Sequence, residues 1–238
     1  MYLPKLKKYD KKFEFSYSFG AYPTIDLLKL RGDLVMEVLV NPEGKDSDGV
    51  EEIMALCTKM NIPVNFSKPA IEKIAFKENT YVIGVFKKFK SKLEVGSNHV
   101  VLVNPSNTGN LGTIIRTMSG FEIKNLAIIA PGVDVFDPKV LRSSMGAFFT
   151  INFEYFDSIE DYRKIHKNNL YSFMLNADYE IADVKYEKPF TLVFGNEGAG
   201  LPESYRNFSK TVYIQHSEDI DSLNLSVCVG IALFGVRG

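Results

Sequence analysis

Four apolar runs from residue 99 onward constrain the fold of this chain more than any other feature. HVVLVNP (99–105), NLAIIAP (125–131), LYSFML (170–175) and PFTLVFG (189–195) are short, largely apolar and without strict alternation. An extended segment of that kind needs cover on both faces, as in the interior of a parallel sheet. Segments that read as helices separate them: residues 110–119, 137–149, 158–169 behind Ser158 as N-cap, and 202–208. NFEYF (152–156) reads as an edge strand and TVYIQ (211–215) as a further strand. Strands alternating with helices predict an α/β fold with a mostly parallel sheet covered on both faces.

The last patterned segment, SLNLSVCVGIALFGV (222–236), is apolar on nearly every face from Leu225 onward. A helix of that composition is predicted to be buried. Asn224 and Ser226 in its first turns then need hydrogen-bond partners, with Ser222 a candidate N-cap.

A separate pattern runs from Thr24 to Phe89. Residues 25–32, 49–61 and 68–76 read as helices, and 34–42, 62–67 and 80–89 as strands. KSKLEVGSN (90–98) reads as a linker. The expected organisation is a small α/β domain over 1–95 and a larger one over 96–238. Residues 1–95 hold 16 Lys+Arg against 13 Asp+Glu, a net +3, within a chain of net charge −1. KLKKYDKK (5–12) and FKKFKSK (86–92) interleave lysines with Tyr9, Phe13, Phe15, Phe86 and Phe89. That pattern suits either a solvated surface or a face that meets a polyanion and stacks bases.

Composition excludes several classes. No stretch approaches the roughly 20 apolar residues of a membrane span, and MYLPKLKKYDKKFEF lacks the apolar core of a signal peptide. The expectation is a cytoplasmic protein without a membrane partner. Cys57 and Cys228 read as small buried residues rather than a disulfide. His99, His166 and His216 are scattered in sequence and carry no metal-ligand spacing.

Three loops hold the residues that point to chemistry. In NTGNLGTIIRT (107–117) a helical reading puts Leu111, Ile114, Ile115 and Met118 on one stripe. Gly112, Arg116 and Ser119 fall on another face, so one arginine stands over cleared space. Taken alone this is an Asn/Gly turn followed by a surface arginine. It lacks the G-K-[ST] ending of a phosphate-binding P-loop and the third glycine of a dinucleotide fingerprint. The absence of an acid-terminated second strand also argues against a dinucleotide-dependent oxidoreductase. TLVFGNEGAGLP (191–202) follows a strand with three glycines in six residues and an acid, Glu197, where open α/β sheets place ligands. The third loop, IQHSEDIDSLNLSV (214–227), leads into the apolar helix.

These three segments, N-x-G-N-x-G-x-x-x-R (107–116), GNEGAGL (195–201) and I…SLNLSV (214–227), resemble the ordered motifs of the SpoU/TrmH family of the SPOUT superfamily. The resemblance covers about residues 99–238. Residues 15–90 are similar in layout to the small ribosomal-protein-like substrate-binding domain often fused to the N-terminal side of that fold. The resemblance implies a SPOUT domain with a deep trefoil knot, S-adenosylmethionine as cofactor, a homodimer, and methylation of a ribose 2′-hydroxyl in RNA. Ribosomal RNA is the preferred substrate, with tRNA or a non-catalytic RNA-binding role as alternatives. By motif position it places Asn107, Arg116, Glu197 and Asn224 in the catalytic or structural constellation. It places Gly195, Ile214 and Leu223 at the cofactor, with Leu192, Ser222 and Ser226 beside them. Arg116 would act as general base or as a phosphate clamp; a guanidinium stays protonated in proteins, which favours the clamp. Gln215 and His216 stand where the family usually has Pro-Met.

Overall fold

A computed structural model describes residues 6–76 and 79–236. The strands are β1 (Phe15–Phe19), β2 (Val35–Val40), β3 (Val64–Phe66), β4 (Val82–Lys87), β5 (His99–Val103), β6 (Asn125–Ile129), β7 (Asn152–Phe156), β8 (Asn169–Phe173), β9 (Tyr179–Glu180), β10 (Phe190–Phe194) and β11 (Lys210–Tyr213). The helices are α1 (Ala21–Arg31), α2 (Asp48–Met60), α3 (Lys68–Ile74), α4 (Thr108–Gly120), α5 (Pro138–Ser143), α6 (Ile159–Ile165) and α7 (Leu225–Gly235). The chain divides into two compact units, Met1–Phe89 with Asp134–Thr150, and Lys90–Val133 with Ile151–Gly238. The front unit therefore takes in a segment that sequence order assigns to the back one.

The front unit holds a four-stranded sheet in the order β1-β4-β2-β3. β4 runs antiparallel to β1 and β2, and β3 parallel to β2. β1 lies ahead of the segment read as patterned. Its sequence, FSYSF, alternates as a half-exposed strand would, yet Ser16 and Ser18 are fully buried. Each serine hydroxyl is satisfied: Ser16 Oγ donates to the Phe136 carbonyl at 2.6 Å, and Ser18 Oγ hydrogen-bonds Thr24 Oγ1 at 2.9 Å. A small polar residue with a local partner can sit in a core at little cost.

The basic, aromatic stretches take a structural role in this unit. Phe86 is fully buried against Phe149 and Phe136, and Phe89 packs edge-on to Phe136. Tyr9 Oη donates to Asp134, whose carboxylate also meets Lys88 Nζ at 3.5 Å. These rings pack on the 134–150 segment, and of them Phe86 is wholly buried; Lys5 lies outside the described residues. The helix expected over 137–149 stops at Ser143, and a 3₁₀ turn follows at Ala147–Thr150. Gly146 between them has φ +86°, and a Cβ there would stand 1.9 Å from Asp26 Oδ2.

The back unit is a seven-stranded sheet, β7-β6-β5-β10-β8-β11-β9, with every pairing parallel. β5, β6 and β10 are buried along their whole length, as their unbroken apolar runs require. The segment read as a linker belongs to this unit. Leu93 is buried in the core with Val101 and Tyr162, and the Leu93 and Glu94 amides donate to Glu154 Oε2 and Asn125 Oδ1. The segment 202–208 is a 3₁₀ helix over Glu203–Asn207 rather than an α-helix. In α7, Leu225, Val229, Ala232 and Leu233 are buried. Val227, Ile231 and Phe234 are 47%, 36% and 74% exposed, so this helix is not covered all round within one chain.

Two of the three histidines meet. The rings of His99 and His166 lie 4.7 Å apart, both buried beside Tyr162. His99 Nε2 faces the Glu94 carbonyl at 2.9 Å, which only accepts, so Nε2 carries the proton. Nδ1 then accepts from Tyr162 Oη at 2.8 Å, and that oxygen accepts from Thr191 Oγ1 at 2.7 Å. Neither ring nitrogen of His166 has a hydrogen-bond partner among the described residues. Among those residues no group of three His, Cys, Asp or Glu is placed to hold a metal ion.

Burial pushes His99 down to about 4 and lowers His166 as well. Both rings are thus held neutral in the fold. From about pH 6.5 down to about 4 the unfolded chain takes up protons that the folded chain refuses, so stability falls as pH drops through that window. His166→Phe removes two unpaired buried nitrogens. It is expected to raise the thermal midpoint by a few degrees, more at about pH 5 than at about pH 7.5. Thermal melts of both proteins across this range test it, and a lower midpoint for the variant would contradict it.

Candidate active site

β5 ends at Val103, and Asn104 turns the chain with φ +50°. Asn107 then caps α4, its Oδ1 accepting from the Asn110 amide at 3.0 Å. The helix starts at Thr108, two residues earlier than the sequence pattern suggests, because the cap stands at Asn107. β10 lies directly beside β5 and delivers the second loop to the same end of the sheet. There Gly195 is packed so closely that a Cβ would lie 2.1 Å from the Gly200 carbonyl carbon. Asn196 and Gly200 exchange backbone hydrogen bonds, and Asn196 Oδ1 accepts from the Gly198 and Ala199 amides. The glycines close a tight hairpin-like loop with Glu197 at its tip.

The Glu197 carboxylate joins this loop to the first one. It accepts from the Ser106 amide at 3.1 Å, Ser106 Oγ at 2.8 Å, the Asn107 amide at 3.1 Å and Asn110 Nδ2 at 3.2 Å. Partial burial works to raise its pKa, but the hydrogen bonds outweigh that and hold it below the usual carboxylate range. Glu197 is thus an ionised strap whose lone pairs are spent on donors. It is not poised to take a proton.

The third loop joins through Asn224, which caps α7. Its Oδ1 accepts from the Ser226 amide at 2.8 Å and from Ser226 Oγ at 2.7 Å. Its Nδ2 donates to Asn110 Oδ1 at 3.1 Å. The cap expected of Ser222 is therefore made by Asn224, and Ser226 turns back onto that cap. Asn110 is the common member: one amide bridges Glu197 to Asn224, 27 residues further on. The sequence pattern assigns Asn110 only a turn-forming role, and Ser106 none. The second asparagine of N-x-G-N was the available signal.

Beside this network lies a cavity of about 280 Å³ at the C-terminal ends of β8, β10 and β11. Of the residues expected at a cofactor, Gly195, Ile214, Ser222 and Leu223 line it, as does Glu197. Leu192 is wholly buried inside β10, and neither it nor Ser226 is among the lining residues. Phe173, Met174, Tyr213, His216 and Cys228 line it without having been expected there. Cys228 is half-buried, and its thiol lies 3.7 Å from the Leu223 carbonyl. Among the described residues no Lys or Arg lines the cavity. Apolar side chains and glycine-rich backbone make up much of its wall, which suits a flat ring system, and Asn176, Asn196, Glu197, Glu203, His216 and Ser222 add polar groups.

Arg116 stands apart. It is exposed on α4 and makes no ion pair among the described residues, and it is not among the lining residues. Gly112, on the same helix face, is buried. The arrangement therefore has a slot without a lining cation, a polar strap along its edge, and an exposed guanidinium on the helix that Asn107 caps.

Comparison with known proteins agrees with this geometry. The model of the SpoU rRNA Methylase family matches residues 97–234. An uncharacterized tRNA/rRNA methyltransferase of Synechocystis is 30% identical over 142 residues, 58% of this chain and 52% of that protein. The 23S rRNA (uridine(2479)-2′-O)-methyltransferase of Streptomyces viridochromogenes is 31% identical over 134 residues, 52% of this chain and 47% of the relative. The chain spans about half the length of both. The crystal structure of an AdoMet-bound rRNA methyltransferase from Sinorhizobium meliloti superposes with a TM-score of 0.80 at 25% identity, over 94% of this chain and 87% of that one. With a family match over more than half its length and all three motif loops drawn to one end of a parallel sheet, this chain belongs to the SpoU rRNA methylase family.

Proposed function

We propose that this chain transfers a methyl group from S-adenosylmethionine to a ribose 2′-hydroxyl of RNA, most readily ribosomal RNA. The observation that carries this reading is the Asn110 bridge, which locks the three motif loops together beside a slot lined by Gly195, Ile214 and Leu223. The Streptomyces relative acts on 23S rRNA and the Synechocystis one is named for tRNA or rRNA, which supports an RNA substrate and favours rRNA. Among the described residues no helix is long and apolar enough to cross a membrane, and an RNA substrate fits a cytoplasmic site of action. The slot fits the cofactor: much of its wall is apolar, and the Gly195 position admits no side chain.

When bound, S-adenosylmethionine supplies a methyl group already activated by its sulfonium. The chain must then hold the ribose oxygen in line and let its proton leave. Positioning of that kind can lower a barrier by roughly 7–11 kcal/mol. Arg116 lies on α4, the helix that Asn107 caps, and makes no ion pair among the described residues. Its planar fork matches a substrate phosphate, and its high pKa makes it a poor base. Glu197, Asn110, Asn107 and Asn224 keep α4 in place under that arginine. Residues 1–95 would bind the RNA around the target nucleotide. We further propose that the loops after β10 and β11 form the trefoil knot through which α7 is threaded.

The stripe Val227, Ile231 and Phe234 recurs at i, i+4 and i+7 on α7. An apolar stripe beside a cofactor slot is the surface on which a second copy of this chain would pack, giving the homodimer. The Phe234→Glu variant is expected to sediment as a monomer at concentrations where the parent protein is a dimer. A parent protein that is monomeric throughout would end that assignment.

Arg116→Lys keeps the charge and loses the fork. It is expected to cut methyl transfer to RNA by about 100-fold while leaving S-adenosylmethionine affinity unchanged. Near-parental turnover in a radiolabelled methyl-transfer assay would remove the clamp. Glu197→Gln turns a carboxylate that accepts five hydrogen bonds into a neutral amide. It is expected to weaken cofactor binding by roughly 10-fold and to lower the thermal midpoint, since hydrogen bonds to an ionised group are worth about 1.5–3 kcal/mol. Calorimetric titration and melting of the variant check both.

A further inference from the structure

The cofactor slot contains one side chain that its motif does not explain. His216 stands on the slot's lining, two residues past Ile214. Its Nδ1 lies 2.8 Å from the Ile214 carbonyl. A carbonyl only accepts, so Nδ1 carries the proton and the neutral ring has its lone pair on Nε2. The ring also packs at 5.4 Å from that of Tyr213, which fixes its plane. Nε2 has no partner among the described residues and is left to accept a hydrogen bond.

Three other side-chain acceptors on the lining are already engaged. Glu197 accepts from the first loop, Asn196 Oδ1 from the Gly198 and Ala199 amides, and Glu203 from Arg206 Nε at 2.7 Å. The rest of the wall nearby is apolar: Phe173 and Phe194 stack at 4.6 Å, with Ile214, Leu223 and Leu225. A flat purine is the part of S-adenosylmethionine that such a wall accommodates. An N9-linked adenine has a single hydrogen-bond donor, its exocyclic 6-amino group.

We propose that His216 is a specificity residue that accepts a hydrogen bond from the 6-amino group of the cofactor's adenine, and so selects 6-amino over 6-oxo purines. This rests on reading the slot as the cofactor site. A 6-oxo purine presents an oxygen acceptor at that position and leaves the lone pair of Nε2 facing another. A site built to receive one hydrogen bond rejects a ligand that lacks it more strongly than an apolar pocket can.

The test is calorimetric titration of the full chain with S-adenosylhomocysteine and with S-inosylhomocysteine, at about pH 8, where an ordinary imidazole is neutral. The parent protein is expected to prefer the 6-amino ligand by about 10-fold or more. His216→Phe keeps a ring and removes the acceptor. It should weaken S-adenosylhomocysteine by roughly 5- to 10-fold, leave S-inosylhomocysteine unchanged and so erase the preference. His216→Asn restores an acceptor and should recover part of it. Equal weakening of both ligands by His216→Phe, no change in either, or no preference in the parent protein would each overturn the proposal. Failure of the parent protein to bind either ligand would instead remove the reading of the slot as a cofactor site.

Discussion

The Glu197 carboxylate is the constraint on which the site depends. Four donors from residues 106–110 converge on it across about 90 residues of chain. That anion fixes the position of the second loop against the start of α4, and Asn110 passes the constraint on to the cap of α7. A parallel sheet makes the arrangement possible, because β5 and β10 are neighbours and both end at the same edge. Ligands in open α/β sheets bind outside the carboxyl ends of the strands for this reason.

The division of labour among polar residues follows from hydrogen-bond capacity. An ionised carboxylate with its lone pairs occupied is a structural group. A side-chain amide can donate and accept at once, which is why Asn110 is able to bridge an acid and a second amide. Arg116 has no ion-pair partner among the described residues, and a cation left unpaired at a surface is available to an anion from outside. His216 is the reverse case, an acceptor oriented by its own neighbour and facing the slot.

Much of the fold was legible because apolar runs report burial on both faces. β5, β6 and β10 sit within two residues of their expected ends, and the other expected strands of the back unit appear in the expected order, with the short β9 added to them. Errors came where side chains meet partners distant in sequence. β1 lies ahead of the segment read as patterned, and its two serines are buried against partners at Phe136 and Thr24. His99 and His166 are 67 residues apart in sequence and in ring contact in the fold. Residues 90–98 look like a linker by composition, but the back unit receives Leu93 in its core.

By itself, the sequence determined the class of fold and the three loops, since period and glycine density are local properties, and the family resemblance pointed to Gly195, Ile214, Ser222 and Leu223 on the slot. Only tertiary structure decided that Asn110 is the hub, that Asn224 rather than Ser222 caps α7, and that one face of α7 is left uncovered. Those outcomes depend on which strand ends become neighbours. Strand order is set by the packing of the whole sheet, and no window of sequence contains it.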